Sequence, residues 1–107
     1  MSKIKSCLIY ITTKDKAEAK RIGLALVKNR LAAGVNIIDR IESIYWWEGK
    51  VQNGSEALLI AKTKESAVPA LIEKVKSLHS YKVPCIVSLP INEANPDFLK
   101  WIEAETA

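Results

Sequence analysis

A chain of 107 residues, 49% hydrophobic and 26% charged, has the room and the composition of one globular domain and is neither disordered nor collagen-like. Its longest apolar runs, residues 7–11 and 57–61, are five residues each, whereas a bilayer-spanning helix needs ~20, so no membrane span is expected. The net charge of +4 is uneven: residues 1–30 hold eight Lys/Arg against two acids, residues 31–56 two against four, and the remainder balances.

The basic excess falls on the first strand and helix, where it reads either as a patch that steers anions or, more ordinarily, as a solvated helix face. The opening residues lead straight into a strand-like stretch, with no separate apolar signal core or small-residue cleavage site. A cytoplasmic location is therefore expected. Residues 3–12, rich in Ile, Leu and Tyr, predict the first strand. Thr13 and Asp15 offer N-caps, and Glu18 stands at capping-box distance from Asp15. Ala19, Ile22, Gly23, Leu26 and Val27 follow as one apolar helical face, and Gly34 is expected to stop the helix or its trailing turn.

Residues 35–47 predict a long second strand and residues 50–63 a third. Glu48-Gly49 and Asn53-Gly54 compete for the hairpin tip. The tip is placed at Glu48-Gly49, leaving Asn53-Gly54 as a bulge or break in the third strand. Val68, Leu71, Ile72, Val75 and His79 form a second helical stripe, with Pro69 in its first turn and its start near Glu65 or Ser66. Residues 83–91 predict a fourth strand, and Pro90 marks it as an edge. Asn95-Pro96 opens a closing helix over residues 97–103, anchored by Phe98, Trp101 and Ile102. Cys7 and Cys85 both lie in apolar runs and read as small hydrophobes of the core.

The order βαββαβ plus a terminal helix gives an α+β, ferredoxin-like sandwich over residues 1–107 as a single domain. Strand side chains alternate between faces. Yet residues 7–11, Leu58 to Ile60 and Cys85 to Val87 are apolar at both parities. Two helices cover one face, and the terminal helix is too short for the other. About six bare side chains at ~1.5–3 kcal/mol each are worth on the order of 10 kcal/mol on burial, comparable to a whole domain's stability. A homo-oligomer packed through its sheets follows. Trp46 and Trp47, adjacent on a strand, face opposite ways, so at least one indole leaves the intramolecular core.

Motifs for catalysis are nearly absent. The sequence contains no GxGxxG, P-loop, CxxC or GxSxG, and it has one histidine, so no catalytic residue is assigned. Asp39/Glu42 and Glu103/Glu105 read as solvated charges. The third strand lacks the aromatics of RNA-binding sheets, so no nucleic acid partner is expected.

Six segments together resemble one family: Ile11-Thr12-Thr13, Asn29-Arg30-Leu31-Ala32-Ala33, Ser43-Ile44-Tyr45-Trp46-Trp47-Glu48-Gly49-Lys50, Lys62-Thr63, His79-Ser80-Tyr81-Lys82-Val83-Pro84 and Phe98-Leu99-Lys100-Trp101-Ile102. In that order and spacing, over almost the whole chain, they resemble CutA, the divalent-ion-tolerance proteins. The resemblance implies a tight homotrimer in which the long hairpin reaches a neighbouring subunit. It also implies divalent-cation tolerance, with copper binding in some members. Several positions depart from the pattern. Ile11 stands where some members have cysteine, Leu78-His79 where some have paired histidines, and Gly34 where many have cysteine. In the segment ending Val83-Pro84-Cys85 both common acids are missing.

A tight transition-metal site needs three or four ligands in fixed geometry. His79 alone remains from the copper set the resemblance implies, and Cys85 is a soft substitute or a core residue. His79 also reads as a helix C-terminal cap. Two functions follow. One is a trimeric tolerance protein that binds copper or another divalent metal ion weakly through His79. The other is a trimeric signalling or small-ligand module, similar to nitrogen-signalling trimers. Its intersubunit cleft, lined by Trp46, Lys62, Thr63 and Tyr81, would take a small anionic ligand; packing and surface roles are the plainer readings of those residues.

Overall fold

The apolar run that opens the chain forms strand β1, Ser6–Thr13, in the computed structural model, which describes residues 5–107. The expected start of this strand at residue 3 lies outside the described residues. Asp15 caps helix α1, Lys16–Lys28, its carboxylate accepting from the Glu18 N–H at 2.9 Å. Glu18 reaches back one residue beyond the cap, its Oε1 accepting from the Lys14 N–H at 3.0 Å. The Thr13 hydroxyl instead donates to the Asp15 carbonyl at 2.9 Å.

Helix α1 ends without the glycine assigned to that task. Asn29 caps it, its side-chain amide donating to the Ala25 carbonyl at 2.7 Å, and Arg30 turns the chain at φ 59°. Asparagine can satisfy the last carbonyls directly. Gly34 is the first residue of strand β2, Gly34–Trp47, and serves packing: a Cβ there would lie 2.9 Å from the Trp101 ring.

Strand β3, Lys50–Lys64, returns antiparallel to β2. Trp47 pairs with Lys50, and Glu48 and Gly49 take φ of 50° and 77°. Two positive-φ residues in a two-residue loop match the right-handed twist of the flanking strands. Asn53 and Gly54 pair regularly with Ile44 and Ser43. The expected bulge is therefore not in β3. The irregularity lies across the ladder in β2, between Ile38 and Ile41.

A single 3-10 turn, Glu65–Ala67, leads into helix α2, Val68–Leu78, with Pro69 in its first turn. Strand β4 is shorter than the predicted 83–91, spanning Ile86–Pro90. The Tyr81 N–H is taken by His79 and Pro84 has no N–H, so the approach to β4 runs as a loop. Helix α3, Pro96–Glu105, is capped by Asn95, which accepts from the Asp97 N–H at 3.0 Å.

The sheet order is β2-β3-β1-β4, all neighbours antiparallel, with β4 at an edge as Pro90 requires. This is the ferredoxin-like α+β sandwich. Cys7, Ile9 and Ile11 of β1 and Ala57, Leu59 and Ala61 of β3 meet Ile22, Leu26, Leu71 and Val75 of the two long helices in the core. The opposite parity faces away. Tyr10 pairs with Ile60 and Val87, and Leu8 with Leu89. Tyr10, Ile38, Val87 and Leu89 are 36%, 47%, 46% and 47% exposed. Helix α3 covers one end of this outer face, where Trp101 lies over Gly34 and Ile102 is buried. Its centre is bare. Past the bulge the β2–β3 hairpin projects, and the molecule extends 49 × 25 × 22 Å. Ile44, Trp46 and Val51 on the hairpin are 67%, 73% and 58% exposed.

Candidate functional site

Beside the hairpin root, the loop between α2 and β4 leans over the outer face and encloses a groove of about 670 Å³. Tyr10 and Thr12 of β1 supply its floor, Ser43, Tyr45 and Trp47 of β2 with Glu56 of β3 one side, and Tyr81, Lys82 and Cys85 the other. Tyr45 and Trp47 share a strand parity and so reach the same side of the hairpin. The Tyr81 hydroxyl donates to Glu56 Oε2 at 2.8 Å, tying the loop to the hairpin root. Burial, reinforced by the Glu56 carboxylate, pushes the Tyr81 phenol well above its ordinary pKa, so it remains a hydrogen donor.

The loop is held from beneath by His79 and Glu18, whose side chains are wholly buried. His79 Nδ1 accepts the Tyr81 N–H at 3.1 Å, so its proton resides on Nε2, which donates to the Thr12 carbonyl at 2.7 Å. The imidazole packs against the Tyr81 ring, centroids 4.7 Å apart. Glu18 Oε2 accepts the Ser80 N–H at 2.9 Å, and Arg21 lies 3.6 Å from the same oxygen. Burial raises the Glu18 pKa. The Lys14 N–H and the Ser80 contacts outweigh that and bring it below its ordinary value.

The residues singled out from sequence do not converge within one chain. Tyr81 lines the groove. Trp46 has the parity opposite to Tyr45 and Trp47 and projects from the other side of the hairpin. Lys62 pairs with Leu8 and Gly34 toward the far end of the outer face, its ammonium on Asn36 Oδ1, and burial lowers its pKa. Thr63 is buried on the inner side, donating to the Leu31 carbonyl at 2.7 Å. His79 has both ring nitrogens engaged. Among the described residues no group of three or more His, Cys, Asp or Glu side chains is arranged to hold a metal ion. The described residues of one chain therefore do not fit a closed metal centre of the usual three or four ligands.

Both cysteines are free. Cys7 is buried, with burial pushing its thiol pKa up, whereas half-buried Cys85 lines the groove. Sequence reading passed over Glu18, Tyr10, Thr12 and Glu56 as site residues. Their only local signal is the Asp15–Glu18 spacing, because pairing between distant strands brings the rest together.

Comparison with known proteins places this geometry. Residues 7–105 match the family model described as CutA1 divalent ion tolerance protein. The chain is 46% identical to "Protein CutA 1, chloroplastic" of Oryza sativa subsp. japonica over 96% of its own length and 58% of the relative's. It is also 46% identical to the "Divalent-cation tolerance protein CutA" of Thermus thermophilus, covering 92% of this chain and 96% of that one. The chain spans little more than half the length of the rice and mouse relatives. Among solved structures, CutA1 from Oryza sativa superposes with a TM-score of 0.94 at 45% identity, covering 97% of this chain and 95% of that one. A periplasmic CutA from Archaeoglobus fulgidus gives 0.91 at 40% identity, covering 94% and 97%.

These relatives overturn the cytoplasmic expectation. The rice and Arabidopsis thaliana proteins are named chloroplastic and the Archaeoglobus fulgidus protein periplasmic. Address signals are separate from the folded domain, so the domain's own pattern carries no compartment. Among the described residues no helix is long and apolar enough to cross a membrane. In fold, in matched length and in identity to relatives from bacteria, archaea, plants and animals, the chain belongs to the CutA1 divalent ion tolerance family.

Proposed function

We propose that this chain is a single-domain, non-enzymatic homotrimer that serves in the response to divalent cations, copper among them. The observation that carries the trimer is the bare outer face, where Tyr10, Ile38, Val87 and Leu89 are each more than a third exposed. Burial of such side chains at ~1.5–3 kcal/mol each favours association of like copies. Copper contact is weak on this reading. His79 must give up either the Thr12 carbonyl or the Tyr81 N–H before it coordinates, and its further ligands must come from neighbouring subunits. Calorimetric titration with Cu(I) and Cu(II) tests this. Heat from the native protein that His79→Ala loses supports contact through that residue; equal heats remove it. Deletion of the gene is expected to lower growth at raised divalent-cation concentration, with recovery on re-expression.

A second reading is favoured by the spacing of Lys62 and Tyr81. They lie toward opposite ends of one face, so a cleft using both has to be assembled from two subunits. Such a cleft, with Trp46 brought in on a neighbouring hairpin, would hold a small anionic ligand for signalling; Thr63, buried on the inner side, is not one of its walls. A thermal-shift screen of anionic metabolites checks it, and uniformly flat results count against it.

A further inference from the structure

The outward side of α1 is charged in a way that helix stability does not explain. Lys16, Lys20, Leu24 and Lys28 follow at intervals of four residues, and all four are exposed. They form one continuous i, i+4 ridge with steps of about 6 Å along the axis. Among the described residues no carboxylate lies within ion-pair distance of the three lysines. A solvated helix face gains support from opposite charges four residues apart. Here Lys16 and Lys20 repel each other at that spacing, and Lys16 stands at the positive end of the helix dipole. Leu24, 54% exposed, interrupts the row. Beside it, Arg21 is engaged by the Leu78 carbonyl and Glu18. Ile22 and Leu26 turn the opposite side of α1 into the core, so the ridge lies on the helix side of the sheet, away from the bare outer face. It is not a surface that the association proposed above is called upon to bury.

A row of lysines that repel one another and break at a leucine is complementary to one kind of chain. In an extended peptide every second side chain lies on the same face, spaced about 6.6–6.8 Å apart. That spacing follows the steps of the ridge, with acids over the lysines and an apolar side chain over Leu24. A nucleic acid strand carries charge at every nucleotide and would set a phosphate over Leu24. Helices that bind a bilayer surface bury a whole apolar face of Trp, Phe or Leu, and this ridge offers one leucine. We infer that the α1 ridge docks an extended acidic peptide segment of a partner protein, with carboxylates at alternate positions facing Lys16, Lys20 and Lys28 and one large apolar side chain against Leu24. This site is independent of copper contact, of the anion cleft and of the trimer.

The test uses the full chain in its solution assembly at low salt. The probe is the end-blocked peptide Glu-Ser-Glu-Ser-Leu-Ser-Glu-Ser-Glu, which presents the same pattern in either direction. Its comparators are the same peptide with serine for leucine, a thymidine oligonucleotide bearing four phosphates, and vesicles of phosphatidylglycerol and phosphatidylcholine. Backbone amide resonances of α1 are followed by NMR, and vesicle binding by co-sedimentation. The leucine peptide is expected to shift the α1 signals saturably with a Kd of about 1 mM or lower. The serine peptide should bind about threefold more weakly, through loss of the apolar contact. Lys20→Glu should weaken both peptides about tenfold. Leu24→Ser should remove the preference for the leucine peptide and leave binding of the serine peptide unchanged, and it keeps the result decisive if Lys20→Glu fails to fold. Equal binding of the two peptides, tighter binding of the oligonucleotide, co-sedimentation that Lys20→Glu abolishes, or no shift of the α1 signals would overturn the site. Light scattering on the same samples reports assembly separately, so failure of the site is distinguishable from failure of the trimer.

Discussion

His79 and Glu18 decide the shape of the loop that walls the groove. Every polar atom of the imidazole is used, and the Glu18 carboxylate joins the start of α1 to the end of α2 through Lys14 and Ser80. His79→Ala orphans the Thr12 carbonyl and the Tyr81 N–H, so we expect a loss of about 1–3 kcal/mol in denaturant unfolding. Glu18 carries a pH signature. Its folded pKa lies below the ordinary value, so the unfolded chain binds the extra proton first. Its stabilisation is present above the usual glutamate pKa of about 4.3 and is lost as pH falls through the lower folded value. Glu18→Gln should destabilise the protein at neutral pH and flatten the acid limb of a stability-against-pH curve. An unchanged acid limb would show that other carboxylates control it.

The elements that sequence revealed are those with strong local chemistry. Asp15, Pro69, Asn95 and Pro90 each act within a turn or so of their own position, and helices and strands fell near where these residues put them. The hairpin tip was legible because Gly49 takes φ +77°, open to glycine at little cost. Nothing lies within 4 Å of a Cβ at Gly49, so Gly49→Ala is a pure backbone test. We expect a loss of about 1 kcal/mol on thermal unfolding. Gly34 was misread as a helix stop because its constraint is tertiary: the Trp101 ring, 67 positions later, occupies the space of its Cβ. Gly34→Ala should cost about 1–3 kcal/mol through overpacking, and Trp101→Leu beside it should recover part of that. The displaced bulge and the groove were illegible for a related reason. Register between β2 and β3 and the descent of residues 79–85 onto Thr12 and Glu56 are long-range pairings with no local sequence marker.

The proposed trimer turns on the two-sided sheet. One side is sealed by α1 and α2, and α3 reaches only the Gly34 end of the other. The projecting hairpin adds Ile44, Trp46 and Val51, more apolar surface than one chain uses. A charge placed on the bare face at its β4 edge, Val87→Asp, should dissociate the proposed trimer while leaving the inner core untouched, read as a drop in mass by sedimentation. The decisive measurement is the molar mass of the native chain by light scattering at micromolar concentration. Three times the 11.9 kDa of one chain is the expected result; a monodisperse, freely soluble species of 11.9 kDa would contradict the need for a partner over the outer face.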